Sequence, residues 1–267
     1  MIGHWLRQTL AVARFELRRF LLARRWIGIY VMALAPVLLM YIRSRMRVRD
    51  VDVMADATQS FSFLFELFIL QFGVFISCAV VFTQVFRGDI LEKTLHLYLL
   101  TPVRREIIAA GKYIAGVVLV SVLFAGSTAA SLLLRYSENG VFNTFFFEGP
   151  GLFHLTRYVA VAVLATMAYG AVFLLIGLLF KNPGLPILFL LGWESLSFAL
   201  PPILQRMSVV YYLLPILPVK VDRGPLAILI DPVSPLIGVP LILGFAVLVV
   251  AVSGWFVRSV QITYSAD

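Results

Sequence analysis

The stretch RGDILEKTLHLYLLTPVRREIIAAGK, residues 87–112, is the most polar and most locally patterned piece of an otherwise strongly apolar chain. Asp89, followed three residues later by Glu92, forms a capping box in which each side chain satisfies a free backbone N–H at a helix start. On the helix so begun, Ile90, Leu91, Thr94, Leu95 and Tyr98 fall on one face, with Glu92, Lys93 and His96 opposite. A residue before proline is pushed away from the α region, so Thr101-Pro102 ends this helix. The same pair can open the next one, Thr101 as N-cap and Pro102 at the first helical position. Arg104, Arg105 and Lys112 then flank a long apolar run. An amphipathic helix, a break and a basic return to apolar sequence predict a surface that docks a partner on one side of a membrane.

Composition sets the class around that stretch. Hydrophobic residues make up 61% of the 267 and charged residues 13%, roughly half the charged share of a soluble domain. Several apolar runs reach the ~18 residues that read as a membrane span. The expected fold is therefore an all-α polytopic membrane protein with six transmembrane helices, at 26–42, 61–86, 107–134, 158–180, 185–200 and 236–257. Short loops leave room for a single transmembrane domain, 1–267, and no separate soluble one. The net charge of +8 points to anionic headgroups and not to nucleic acid. The single cysteine, Cys78, lies in an apolar run and excludes an internal disulfide.

Residues 3–25 read as a basic amphipathic helix lying in the headgroup layer. Leu6, Leu10, Ala13, Leu17, Phe20 and Leu21 form its apolar stripe, and Arg7, Arg14, Arg18 and Arg25 line up beside it. A signal peptide is the competing reading, and it is disfavoured because the basic region is too long and the apolar run continues past the small residues at 33–35. Arg43, Arg45, Arg47 and Arg49 recur at every second position, a spacing that aligns them in an extended segment. They form either a solvated strip anchored in headgroups or a cradle for an anionic substrate or lipid. Residues 135–157 are expected as a loop with an aromatic cluster, Phe142 and Phe145 to Phe147. Span three carries a small-residue patch at 126–131, suited to close helix approach, and span four carries Ala162, Ala165, Ala168, Gly170 and Ala171. Between 201 and 235 lie seven of the thirteen prolines, interleaved with apolar runs. Such backbone is expected as broken, re-entrant helices packed on protein, because lipid cannot satisfy free backbone groups.

Little catalytic chemistry is legible. The phosphate-binding pattern GxxxxGK[ST] is absent, since Gly111-Lys112 is followed by Tyr113, so the chain is not its own P-loop ATPase. His4, His96 and His154 fall in separate regions, without HExxH or paired cysteines, and no metal site is expected. No GxSxG nucleophile motif occurs. The ionisable residues within apolar spans remain: Glu194, placed near the middle of span five, and Glu66, in span two. Intramembrane carboxylates are costly and mark either function or hydrogen-bonded contacts between helices, and the sequence leaves both readings open. Gln71 and Gln84 read as helix-packing polar groups.

The order GDILEKTLHLYLLTPVRREIIAAGK also resembles the loop between the second and third spans of ABC-2-type transporter permeases. The features that carry the resemblance are Glu92, Thr94-Leu95, Leu99-Leu100, Thr101-Pro102, Arg104 and Gly111-Lys112. The basic N-terminal helix and the six-span layout extend it to most of the chain. The resemblance implies a permease subunit of an exporter that works as a dimer, driven by two copies of a separate ATP-binding cassette ATPase. ATP and Mg²⁺ would be held on those partners, with no cofactor in this chain. Coupling to the ATPase would run through Asp89, Glu92, Leu95, His96, Tyr98, Arg104 and Arg105. Both termini would be cytoplasmic, in the cytoplasmic (inner) membrane. With that orientation thirteen of the 22 lysines and arginines lie inside and nine outside, the sign expected but a small bias. Two other classes remain beside this one. An autonomous secondary transporter or channel would use Glu194 and Glu66 for ion coupling, but it would usually show inverted repeats. An intramembrane enzyme would need a second catalytic group at the depth of Glu194.

Overall fold

The computed structural model of the chain describes residues 2–45, 53–91, 104–137, 142–219 and 233–259, and the elements among them are helices. Helix α1 (Ile2–Leu22) leads through an extended Ala23 and a 3-10 turn (Arg24–Trp26) into α2 (Ile27–Arg45). At that corner the buried Phe20 and Trp26 rings pack edge to face at 5.1 Å. A long rod follows, made of α3 (Val53–Leu64), a π-helical segment (Phe65–Val74) and α4 (Phe75–Leu91). Then come α5 (Arg105–Ser137), a π turn (Thr144–Glu148) and α6 (Gly151–Leu179). Helix α7 (Gly184–Leu196) is short, and the still shorter α8 (Pro202–Gln205) and α9 (Val209–Leu213) precede the long α10 (Pro235–Ser259).

Five helices are long and apolar enough to cross a bilayer: Ile27–Arg45, Ala57–Val85, Arg105–Ser137, Gly151–Leu179 and Pro235–Val257. Their outward faces are greasy, with Val31, Leu34, Leu38, Val247 and Leu248 all more than half exposed. In water that much exposed apolar surface would be strongly unfavourable; in lipid it is the expected lining. The chain is a multi-pass, all-helical membrane protein.

Helix α6 is the hub, packed on by α4, α5 and α10. Its small residues permit this. Ala162, Ala165, Ala168 and Ala171 are buried, and a Cβ on Gly177 would lie 2.7 Å from the Thr83 Cα of α4. The Phe82 ring of α4 is clamped between Gly116 of α5 and Gly170 of α6, with no room for a side chain at either glycine. Tyr113 of α5 donates to the Met167 carbonyl of α6 at 2.7 Å, tying the two helices at mid-length.

Polar contacts define the two ends of the bundle. At one, Tyr136 near the end of α5 shares a 2.8 Å hydrogen bond with Thr58 of α3 and stacks on Phe145 at 3.8 Å. Beside it the Ser62 and Tyr158 hydroxyls share one of 2.6 Å, and Arg135 Nε donates to Ser60 at 3.3 Å. At the other end lie α1, the last turns of α4, the first turns of α5 and the last turns of α10.

Several expectations are corrected. The segment 185–200 is not a full span: α7 has 13 residues, about 20 Å of helix against a ~30 Å hydrocarbon core. It tightens into a 3-10 turn (Ser197–Ala199) and stops at Leu200, which is extended ahead of Pro201-Pro202. The 135–157 loop is largely helical, because α5 runs on to Ser137 and α6 starts at Gly151. Its aromatic cluster is structural in part: Phe145 and Phe146 are buried against Tyr136, while Phe147 is exposed. Arg43 and Arg45 are helical and not extended, since α2 carries its hydrogen-bonding past the apolar run, and Arg45 lies over the Tyr41 ring at 5.2 Å. Arg47 and Arg49 lie outside the described residues. On α1 the predicted stripe is split. Ala13, Leu17 and Phe20 face the bundle, and Leu6, Leu10 and Leu21 are more than half exposed, because a helix lying on one neighbour buries only a narrow face.

The broken-helix character expected for 201–235 is present in its described part, 201–219, while 220–232 lie outside the described residues. Pro202–Gln205, Val209–Leu213 and a 3-10 turn at Leu214–Ile216 are short helices whose Val210, Leu213, Ile216 and Leu217 are buried. The Gln205 amide donates to the Phe198 and Leu200 carbonyls at 3.3 and 2.9 Å, so the broken backbone finds its partners within the protein.

Candidate functional site

Of the residues assigned to partner docking, Glu92, Leu95, His96 and Tyr98 lie outside the described residues. Asp89 is not a helix N-cap, because α4 stays helical through Leu91 and places Asp89 in its last turn. Thr101-Pro102 lie outside the described residues, and the described part of the next helix starts at Arg105. Its first backbone acceptor is the Arg104 carbonyl, bonded by the N–H groups of Ile107 and Ile108 at 2.9 and 3.3 Å. Arg104 is exposed and lies over the Trp5 ring of α1 at 4.8 Å, a cation–π contact. Arg105 reaches the Val257 carbonyl of α10 at 3.5 Å. The described end of the stretch from Arg104 onward therefore sits against α1 and the end of α10.

Lys112 is the surprise of this end. The sequence places it among basic residues flanking the membrane, yet its side chain is 0% exposed. Its Nζ donates to Glu16 Oε1 of α1 at 2.7 Å and to the Val85 carbonyl of α4 at 3.2 Å. Glu16 is 2% exposed and also sees Arg19 at 3.9 Å. One buried ion pair thus joins the basic helix, the second span and the third. Nothing in residues 87–112 signals it, but Glu16 carries a signal. It is the only acidic residue in the first 25 and shares the buried face with Ala13 and Phe20, at helical spacings of three and four. Close approach supports the contact, since a Cβ on Gly111 would meet Val12 of α1 at 2.8 Å.

The two intramembrane carboxylates meet elsewhere. Glu66 and Glu194 line one cavity of about 250 Å³, together with Gln71, Ser195, Phe63 and Phe198. Glu66 and Gln71 come from the π-helical segment, whose extra residue per turn shifts the register of its faces. Phe65, Ile69, Leu70 and Val74 turn into the core, and Glu66 and Gln71 are left facing the cavity. Glu194 is not at mid-span as the sequence implied. It sits in the last turn of α7, just before the chain breaks.

That position explains the first duty of Glu194. Ser208 Oγ donates to its Oε2 at 2.6 Å, and the N–H groups of Val209 and Val210 donate to Oε1 and Oε2 at 3.0 and 3.3 Å. The carboxylate caps α9 from a distance of fourteen residues or more, satisfying backbone donors that lipid would leave unpaired. The buried hydroxyl of Tyr169 on α6 lies close to the same carboxylate without reaching hydrogen-bond geometry. Neither Tyr169 nor Ser208 stood out in the sequence, because nothing local marks which distant hydroxyl a carboxylate will meet.

Chemically, the cavity offers two carboxylates, an amide and a hydroxyl against aromatic walls, with space for several waters. It can attract a cation or the amine of an amphipathic molecule. Among the described residues no group of three His, Cys, Asp or Glu side chains is arranged to hold a metal ion. No protein-family model matches this chain, and no curated protein matches it.

Proposed function

We infer that the chain is the membrane-spanning permease subunit of an ABC-2-type exporter, working as a dimer with two separate ATPase subunits. The observation that carries this reading is the stretch 87–112, amphipathic, proline-broken and similar to the family's cytoplasmic loop. Its supporting geometry is mechanical. Movement delivered to the end of α4 or the start of α5 reaches α1 through the Glu16–Lys112 pair and α10 through Arg105. Such a linkage suits a chain that receives work from outside and turns it into rearrangement of its spans.

In this reading both termini are cytoplasmic, in the inner membrane. The five long helices cross the bilayer, and Gly184–Ala199, too short alone, completes a sixth crossing only together with the broken helices of 201–217. The 87–112 stretch contacts the ATPase. The test is co-purification of the chain with its ATPase from native membranes, paired with ATPase and transport assays. Replacing Leu95→Asp should uncouple hydrolysis from transport while the spans still insert. Normal association, activity and transport in that variant would remove the docking surface from 87–112.

A second reading has one observation in its favour: Glu66 and Glu194, distant in sequence, line the same cavity. An autonomous carrier would use them to couple cargo to a proton or cation gradient. Transport into vesicles that persists without any ATPase partner and collapses with the ion gradient would select this reading over the first.

A further inference from the structure

A second cavity, of about 340 Å³, lies between residues 206–212, Ala168 of α6 and the first half of α10. Its floor is closed by the buried Ala168, Ser208 and Ile242. Its rim is made of Met207, Leu241 and Phe245, which are 71%, 51% and 43% exposed. Arg206 stands at this rim, exposed, and has no ion-pair partner among the described residues. Glu194 does not neutralise it, because that carboxylate is committed to Ser208 and the two N–H groups of α9.

We propose that this cavity binds an anionic phospholipid from the surrounding bilayer, its phosphate on Arg206 and an acyl chain along Leu241 and Phe245. An exposed guanidinium beside apolar surface, with no carboxylate partner among the described residues, suits an anion, and its planar fork matches phosphate. The exposed apolar rim argues for a lipid and against a soluble anion, because a water-borne phosphate would cover none of that surface. The site shares a wall with the Glu66–Glu194 cavity, since Ser208 closes its floor and donates to Glu194, but it does not depend on how transport is driven.

The test uses the purified full-length chain in detergent, titrated with phosphatidylglycerol or phosphatidylcholine and read by native mass spectrometry. The wild type should retain one phosphatidylglycerol roughly fivefold more tightly than phosphatidylcholine, the preference one basic residue supplies. Arg206→Gln should abolish that preference, and Arg206→Lys should keep most of it. Leu241→Trp, which fills the mouth and leaves the charge, should lower retention of both lipids. Equal retention of the two lipids by the wild type overturns the proposal, and needs no variant. So does unchanged phosphatidylglycerol retention in both Arg206→Gln and Leu241→Trp. A lipid-free dimer that Arg206→Gln dissociates would assign the cavity to a second copy of the chain and equally overturn it.

Discussion

Lys112 Nζ lies 2.7 Å from Glu16 Oε1, with both side chains withdrawn from solvent and the two residues 96 positions apart in sequence. The pair fixes the basic N-terminal helix to the bundle and, through the Val85 carbonyl, to the helix before it. Breaking a buried pair strands a charge, whereas removing both partners does not. Lys112→Met should therefore destabilise the protein by about 3–5 kcal/mol. Adding Glu16→Leu should restore most of the loss, as thermal unfolding in detergent would register. A double variant as unstable as the single one would mean that packing at Gly111, and not the ion pair, secures α1.

Glu194 predicts a graded series. Glu194→Gln keeps one acceptor and loses the charge, costing about 1–2 kcal/mol. Glu194→Ala leaves Ser208 and the N–H groups of Val209 and Val210 without their acceptor, at about 3 kcal/mol or more. Limited proteolysis within 201–217 should accelerate in the alanine variant first. If Glu194→Gln stays near wild-type stability yet stops transport, the carboxylate serves the cavity as well as the cap.

Helix packing gives a contrast between two glycines. A Cβ at position 177 would press on Thr83 backbone, whereas one at position 126 meets nothing within 4 Å. Gly177→Ala should cost about 1–3 kcal/mol by overpacking. Gly126→Ala should be neutral or stabilise by about 0.5–1 kcal/mol, from the helix preference of alanine. Unfolding of the two variants side by side checks this, and equal effects would mean that α4 and α6 are further apart.

Cys78 is fully buried, with its Sγ 3.8 Å from the Thr166 carbonyl. The wild-type chain should stay unmodified by maleimides until denatured, giving a silent background. Met207→Cys, exposed but set among apolar neighbours, should react with a membrane-permeant maleimide and resist a charged one. Rapid labelling by the charged reagent would put residue 207 in water and outside the bilayer.

The sequence by itself determined the long apolar elements. Contiguous apolar residues partition into lipid and close their own backbone hydrogen bonds, so α5 and α6 were legible to within a few residues at most of their ends. Small residues pack closely at Gly170 and Gly177 of α6, and not at Gly126 of the patch expected on α5. Glu66 and Glu194 stood out because a charge within an apolar run is costly wherever the fold puts it. Even the broken helices after residue 200 followed from proline chemistry.

Only the tertiary structure decided which of these groups meet. That Lys112 pairs with Glu16, that Glu66 and Glu194 share a cavity, and that Glu194 caps a helix beginning fifteen residues later are long-range choices. Periodicity reports which face of a helix is apolar, and it is silent on the neighbour that covers that face. The π-helical register and the stop at Leu200 have the same origin. Each rests on a balance between local backbone preference and the packing available from helices far away in the chain, and the second half of that balance exists only once the bundle has assembled.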